Sequence, residues 1–384
     1  MRIAVDAMGG DYAPKEIVLG ALRAARQFDC EIVLVGDEEK IKQVLVAERD
    51  WQKQKVTIRH AAEVVEMDEH PADAVRQKKD SSVVVATRLV KDGECDAVIS
   101  AGSTGAAVAA AQLVLKRIKG IKRPSIATPI PTPQGATLML DSGANVDSKP
   151  IHLLQSALMG SVYSELVYGH KTPRVGLLNI GEEETKGDEL ARETYPLLEA
   201  LGEKQVIHFT GNAEGRDIPK GNFDVVVCDG FVGNTLLKFG EGLAKTIIRL
   251  VKDELMNAGP FAKLGALLVK PALRKLKKRL DVTEYGGAPL LGVNGCVIIS
   301  HGSSNAKAIT NAIRVANDFA KSKALERIQS TIIKEEILLN DLDDNCRRRP
   351  WHGFLRAGAH SHEFRFREDG RYQRRMDCGA HGYP

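Results

Sequence analysis

Asp96-Ala-Val-Ile-Ser-Ala-Gly-Ser-Thr-Gly-Ala106 is the stretch on which the reading of the fold turns. Ala97, Val98 and Ile99 read as the end of a buried strand, and Gly102 and Gly105 bracket Ser103 and Thr104 in a tight turn. Small and apolar residues then run on to Ile118. They predict a helix from Ser103 to Ile118 whose last turn carries Lys116 and Arg117, the sign that the helix dipole favours there. A strand that ends in a Gly/Ser/Thr turn and opens a helix aims unpaired backbone N–H groups at one point, with hydroxyls beside them. That arrangement suits phosphate. An ordinary strand-to-helix turn with Ser103 as its cap would use the same residue types, so this stretch alone leaves both open.

Upstream, strand and helix alternate: Ile3–Asp6, a helix from Pro14 to Phe28, Glu31–Gly36, a helix from Glu38, then Val56–His60. Ile32-Val33-Leu34-Val35-Gly36 is a continuous apolar run, the mark of a strand covered on both faces and hence of a parallel sheet. Asp6-Ala-Met-Gly-Gly-Asp11 follows the first strand. Gly9 and Gly10 permit a turn that exposes Asp6 and Asp11 at the strand's carboxyl end, where α/β sheets hold ligands. A tight loop with a capping aspartate is the equal alternative. Residues 61–95 predict an edge region with helices at Pro71–Gln77 and Ser81–Lys91.

The chain has 384 residues, 43% of them hydrophobic, with few aromatics and a net charge of only +4. That balance gives no argument for nucleic-acid binding. No apolar run is long enough to span a bilayer, and no signal-like segment precedes the first strand. Cys30, Cys95, Cys228 and Cys296 sit in or beside apolar runs without a CxxC pair. Buried reduced thiols are expected, not disulfides or a metal site.

Downstream, Pro124–Pro133 carries four prolines. That density suits an edge or connecting segment and not a central strand. Gly135–Asn145 predicts a strand ending in Asp141, Gly143 and Asn145, with a helix from Lys149 to Tyr168. Arg174–Gly181 predicts a strand leading to a charged loop that contains Lys186, with a helix beginning near Asp188. A charged loop is usually solvated. Phe223–Asn234 is the clearest buried strand, emptying into Asp229, Gly230, Gly233 and Asn234 at a helix start. Asn234 can cap that helix or hold a ligand oxygen. Cys296–Ser300 then leads through His301, Gly302, Ser303, Ser304 and Asn305 into a helix expected to reach Arg327. Two strand–Gly/Ser–helix junctions in one α/β protein favour phosphate handling.

Residues 256–281 differ in kind. Phe261, Leu264 and Leu268 fall at helical spacing, Pro271 interrupts, and Leu273, Leu276 and Leu280 resume it. Lys263, Lys270, Arg274, Lys275, Lys277, Lys278 and Arg279 stand among them with no acid before Asp281. Two short basic amphipathic helices joined at Pro271 are expected, suited to an anionic membrane surface. A solvated hairpin or a dimer contact is the alternative. From Asp343 to Pro384 the chain has nine arginines, four histidines and no lysine. Its Cys and His spacings match no zinc pattern, and a weakly ordered tail is expected.

DAMGGD (Asp6–Asp11), SAGSTGA (Ser100–Ala106), LDSGAN (Leu140–Asn145), LLNIGEE with Lys186-Gly187, GNAEGRD (Gly211–Asp217), CDGFVGN (Cys228–Asn234), YGGAPLLG (Tyr285–Gly292) and HGSSN (His301–Asn305) come in this order. Together they resemble the bacterial acyl-acyl-carrier-protein:phosphate acyltransferase family (PlsX) across residues 1–330. The resemblance implies a Rossmann-like three-layer α/β/α fold with a mostly parallel sheet, related to phosphotransacetylases and isopropylmalate-type dehydrogenases. It implies a cytoplasmic homodimer, peripherally bound to the inner face of the membrane. The implied reaction moves a fatty acyl group from acyl carrier protein to inorganic phosphate for phospholipid synthesis, with no cofactor or metal. The body would span 1–342, with 256–281 protruding and 343–384 as tail. Ser103 stands where the family usually has Asn, and the segment after about Leu342 has no counterpart and is assigned no function.

Because phosphate is itself the nucleophile, no catalytic triad or reactive cysteine is needed. Under this resemblance Lys186 and Asn234 are the expected catalytic residues. Asp6, Gly9, Gly10, Gly102, Ser103, Thr104, Gly105, Asp141, Asn145, Asp229, His301, Gly302, Ser303 and Ser304 would bind phosphate or substrate. Phe261, Leu264, Leu268, Leu273 and Leu276 would meet the membrane. A nicotinamide-dependent dehydrogenase would need a GxGxxG turn, and none follows a strand here. A non-catalytic membrane scaffold would leave the Gly/Ser/Asn clusters at the strand ends unexplained.

Overall fold

The computed structural model describes residues 1–257, 259–280 and 282–348. Contacts divide the chain into Met1–Asp343, an α/β body, and Asp344–Pro384. The body begins with β1 (Arg2–Asp6), α1 (Lys15–Gln27), β2 (Glu31–Gly36), α2 (Glu38–Val46), β3 (Val56–His60), α3 (Pro71–Gln77), α4 (Ser82–Lys91), β4 (Ala97–Ser100) and α5 (Thr104–Ala110). It continues with β5 (Ser125–Ile126), β6 (Thr128–Pro131), β7 (Ala136–Leu140), α6 (Pro150–Tyr168), β8 (Arg174–Asn179), α7 (Glu189–Glu203), β9 (His208–Glu214) and β10 (Val225–Val227). The last elements are α8 (Gly230–Asn257), α9 (Pro260–Leu280), β11 (Ala288–Leu291), β12 (Cys296–Ile299), α10 (Ala306–Lys321) and α11 (Ala324–Arg348).

The α/β class is as read, but the strands form two sheets. A seven-stranded sheet runs β3-β2-β1-β4-β12-β11-β5, and a five-stranded one runs β6-β7-β10-β8-β9. In the first, β3, β2, β1, β4 and β12 are parallel. Ala4, Val33, Val35, Val98 and Val297 share one buried cluster with Val83–Ala86 of α4. Their neighbours Ile3, Val5, Ile32, Leu34 and Ile298 are equally buried and, by strand alternation, point to the other face, where α1 and α10 pack. Full burial of each such side chain is worth about 1.5–3 kcal/mol. This two-sided burial makes residues 82–91 a core helix and not the edge region expected.

Ser125–Pro131 joins the sheets. Ile126 pairs with Leu290 in the first sheet and Thr128 with Met139 in the second. Pro129 and Pro131 cannot donate to a ladder on both sides, so the chain lies on the edge of each sheet, as the proline density predicts. In the second sheet β10 lies between β7 and β8, all parallel. Gly160 of α6 lets that helix sit on Leu140 and Val225.

Three helix readings are corrected. α5 passes into a π-helical turn, Ala111–Leu115, and the helix stops there. Lys116 (φ 66°) and Arg117 lie beyond it, because Asn294 donates to the carbonyls of Leu115 and Arg117 and closes the end. The expected single helix from Asn305 to Arg327 is two. Ser322 Oγ donates to the Phe319 carbonyl and accepts from the Ala324 N–H, ending α10 and opening α11, with Lys323 left-handed between them. Pro271 lies inside a continuous α9. Its ring removes one backbone bond, which an exposed helix of Ala, Leu and Lys tolerates. Residues 343–348 are helical, as the end of α11. The remainder of the expected tail lies outside the described residues.

Candidate active site

The strand order brings the chemistry together. From β1 the chain winds through β2 to β3, then crosses back to place β4 on the other side of β1. The carboxyl ends of β1 and β4 therefore flank the point where the winding reverses, the usual ligand position in an open α/β sheet. β12 is the next strand, so the loops Asp6–Asp11, Ser100–Ser103 and Ser300–Ser304 are neighbours.

They are packed against each other. A Cβ on Gly9 would come within 2.6 Å of Asp6 Oδ2 and 2.7 Å of the Gly102 nitrogen. Gly10 has φ of +108° and lies between the carbonyls of Ala101 and Gly302. The Asp11 N–H donates to the Gly302 carbonyl at 2.9 Å, and the Ser300 N–H to the Ser100 carbonyl at 2.8 Å. Only glycine fits at positions 9 and 10.

Asp6 is the buried anchor of this cluster. Ser100 Oγ donates to its Oδ2 at 2.7 Å, and the Ser82 hydroxyl and the Met8 and Gly9 N–H groups also donate. Each such bond to a charge returns about 1.5–3 kcal/mol. Burial nevertheless outweighs them and holds the carboxyl above its usual pKa range. Asp6 thus organises the loop, and its oxygens are already engaged.

Ser103 caps α5, its hydroxyl accepting from the Ala106 N–H, while Ser100 Oγ takes the Gly102 N–H. Among the described residues, the N–H groups of Ser103, Thr104 and Gly105 have no acceptor. Three consecutive free donors at the reversal point form an anion seat. Gly105 also lets Pro71 of α3 close on this turn. At α10 the donors are largely used: Glu16 accepts from the Ala306 N–H at 2.7 Å and Asn305 from Ala308 at 3.0 Å. Ser304 Oγ is buried against Ser300 Oγ and the His301 carbonyl, while His301 and Ser303 are exposed.

The second sheet supplies the other side. Asp141 Oδ1 accepts from the N–H groups of Ile126, Gly143 and Ala144, and Oδ2 from the Asn145 N–H and Nδ2. Asn145 also donates to the Pro124 carbonyl. Both are engaged in shaping the loop that α8 rests on, since Gly230 abuts the Asn145 carbonyl and Gly233 that of Asp141. Asp229 caps α8 through the Phe231 N–H and holds the Ser148 N–H. Asn234 stands exposed beside Gly143, and its side-chain amide makes no hydrogen bond among the described residues.

One contact links the two sides, and the sequence reading missed it. Lys238 Nζ on α8 lies 2.9 Å from His301 Nε2. Asn234 and Lys238 are one helical turn apart, roughly 6 Å between Cβ atoms, on one face of α8. Asn234 therefore belongs beside the three loops. Lys186 is placed differently. It is exposed on the loop after β8, which Asn179, Asn212 and Arg192 hold by its backbone. With β10 between them, the ends of β7 and β8 are roughly 10 Å apart. Lys186 thus shares the sheet edge with Asn234, but among the described residues no hydrogen bond or ion pair joins its side chain to the other candidates.

Among the described residues no thiol is poised to react. Cys30, Cys95, Cys228 and Cys296 are buried and free, and burial pushes the Cys95 thiol up to about 11 and that of Cys228 higher still. The arrangement therefore offers free N–H donors, a free carboxamide, an imidazole and cations, the equipment for binding an oxyanion and polarising a carbonyl.

Comparison with known proteins gives this arrangement a family. The family model described as "Fatty acid synthesis protein" (FA_synthesis) matches residues 1–327. The phosphate acyltransferase of Desulfitobacterium hafniense (strain DSM 10664 / DCB-2) is 60% identical over 333 residues, 86% of this chain and 98% of that protein. That of Pelotomaculum thermopropionicum is 56% identical over 337 residues, covering 88% and 96%. The chain belongs to the phosphate acyltransferase (PlsX) family. It is an acyltransferase. Among solved structures, a phosphotransacetylase from Streptococcus pyogenes aligns with TM-score 0.54 at 18% identity, covering 85% of this chain and 94% of that one. EutD phosphotransacetylase from Staphylococcus aureus aligns with TM-score 0.51 at 16% identity, covering 83% and 94%. At such identities these two share the fold alone.

Proposed function

We propose that this acyltransferase moves a fatty acyl group from the thioester of acyl carrier protein to inorganic phosphate, releasing acyl phosphate for phospholipid synthesis. The observation that carries the reading is the anion seat where the winding of the first sheet reverses, its free N–H groups at Ser103–Gly105 following Gly102, on which Gly9 packs. A phosphate oxygen attacks the thioester carbonyl carbon, a C–O bond forms and the C–S bond breaks. The phosphate's proton passes to the departing thiolate, which leaves as free carrier thiol. Asn234 donates to the oxyanion of the tetrahedral intermediate, and Lys186 supplies positive charge from the β8 loop. Asp6, Gly102, Ser304 and the Asp141–Asn145 loop fix the geometry, with Asp229 holding α8.

We further propose a homodimer that rests on an anionic membrane surface through α9. Leu264, Leu268 and Leu273 are exposed there, at 59%, 76% and 36%. The side chains of Phe261 and Leu276 lie outside the described residues. No described helix is long and apolar enough to cross a membrane.

Trapping the product with hydroxylamine tests the reading. Above the direct reaction of hydroxylamine with the thioester, enzyme-dependent acyl hydroxamate should accumulate from acyl carrier protein only when phosphate is present, and more slowly from acyl-coenzyme A. Equal rates with both donors would remove the carrier protein from the proposal, and a product of free fatty acid would remove phosphate from it.

A further inference from the structure

We propose that Lys238 is the phosphate-binding cation of the acyl-transfer site, aimed by His301 as its hydrogen-bond acceptor. The proposal rests on the acyl-to-phosphate reading above and names the residue that anchors the acceptor substrate. An ammonium group has donors and no lone pair. At 2.9 Å from Lys238 Nζ, His301 Nε2 must therefore be the acceptor, which places the ring proton on Nδ1, donating to Ser303 Oγ at 2.8 Å, while the Ser303 N–H, 3.2 Å from that nitrogen, no longer has it as an acceptor. One Lys238 proton is used in this way. Glu241 Oε2 stands 3.8 Å from Nζ, close enough to pair in charge but too far for a hydrogen bond. Two N–H donors remain for phosphate oxygens, on a side chain about half exposed.

The location supports the role. His301 precedes Gly302, whose carbonyl accepts from the Asp11 N–H in the stacked loop cluster, so the Lys238–His301 contact lies beside that cluster. Lys238 also lies one turn after Asn234 on the same helix face. A phosphate held by Lys238 would thus have the carboxamide proposed for the oxyanion as its neighbour. Lys186 has no comparable tether. The charged groups facing His301 are Lys238, Glu241 and Lys245 of α8 and Asp11 of the β1 loop. Burial first, and then the Lys238 cation, keep the imidazole below its ordinary pKa and so in its accepting form.

The test is titration of the full-length protein with inorganic phosphate, read by NMR of the His301 ring in the wild type, Lys238→Gln and Lys238→Arg. Phosphate should shift the wild-type ring. Lys238→Gln should weaken phosphate binding at least tenfold, raise the KM for phosphate more than the KM for the acyl donor, and move the His301 titration to higher pH. Lys238→Arg should restore most of the affinity. Equal phosphate affinity in wild type and Lys238→Gln, or no phosphate-induced shift in the wild type, overturns the proposal. A variant that loses thermal stability yet binds phosphate normally assigns Lys238 to the Glu241 ion pair and overturns it too. Whether the wild type forms acyl phosphate is measured separately, so failure of the reaction reading is not mistaken for failure of this one.

Discussion

Asn234 and Lys186 are exposed and carry little of the fold, so their replacement reports on chemistry more than on stability. Loss of one donor to an oxyanion typically costs about 3 kcal/mol, a hundredfold or more in rate. Asn234→Ala and Lys186→Ala should each lower turnover by about that factor and leave the melting temperature unchanged. Steady-state kinetics beside thermal denaturation will check this, and full turnover in Lys186→Ala would remove that lysine from the site. Asp6 is the opposite case. Asp6→Ala leaves Ser82 and Ser100 and the Met8 and Gly9 N–H groups without their acceptor. It should destabilise the protein by about 2 kcal/mol or more, measured by urea denaturation, and impair phosphate binding as the loop loosens. The sequence shows these residue types and their order. It does not show that Asp6, Asp141 and Asn145 are already satisfied within the chain, because those donors come from the local fold.

Helix ends show most clearly what is decided elsewhere in the chain. A single helix is expected to run to Ile118, yet the π-helical turn that follows α5 ends at Leu115, where Asn294, far along the sequence, donates to the Leu115 carbonyl and to that of Arg117 just beyond. α6 opens with His152 Nδ1 accepting from the Lys149 N–H. Burial and the nearby Arg123 and Lys149 cations bring the His152 pKa down to about 4. Between that value and the ordinary 6.5, the unfolded chain binds a proton that the folded one does not, so stability falls as pH drops through this window. His152→Gln keeps an acceptor and should flatten the loss, seen as urea midpoints at pH 7.5 and 5. α9 gives a separate test. Leu264→Asp with Leu268→Asp should abolish binding to anionic vesicles and leave activity on soluble donor intact; unchanged vesicle binding would remove the membrane role.

At the scale of the whole molecule, the centre of the first sheet was legible because β1, β2 and β4 are apolar runs that end in Asp6, Gly36 and Ser100. The second sheet was less so. β9 is partly exposed and polar, reading His-Phe-Thr-Gly-Asn-Ala-Glu over 208–214, and carries neither strand signal clearly. That the strands divide into two sheets rests on tertiary pairing across Ser125–Pro131. The meeting of Lys238 with His301 was illegible for the same reason: only the placement of α8 joins them. Ligand linkage follows from this architecture. If phosphate binds the folded state alone, phosphate at a hundredfold above Kd should add about 2.7 kcal/mol of stability, measured as a shift of the denaturation midpoint. Acyl transfer to phosphate is tested most simply by release of carrier-protein thiol from acyl-acyl carrier protein, followed with and without phosphate. Release should require phosphate and match acyl phosphate formed one for one. Release at the same rate without phosphate would make the protein a thioesterase and contradict acyl transfer to phosphate.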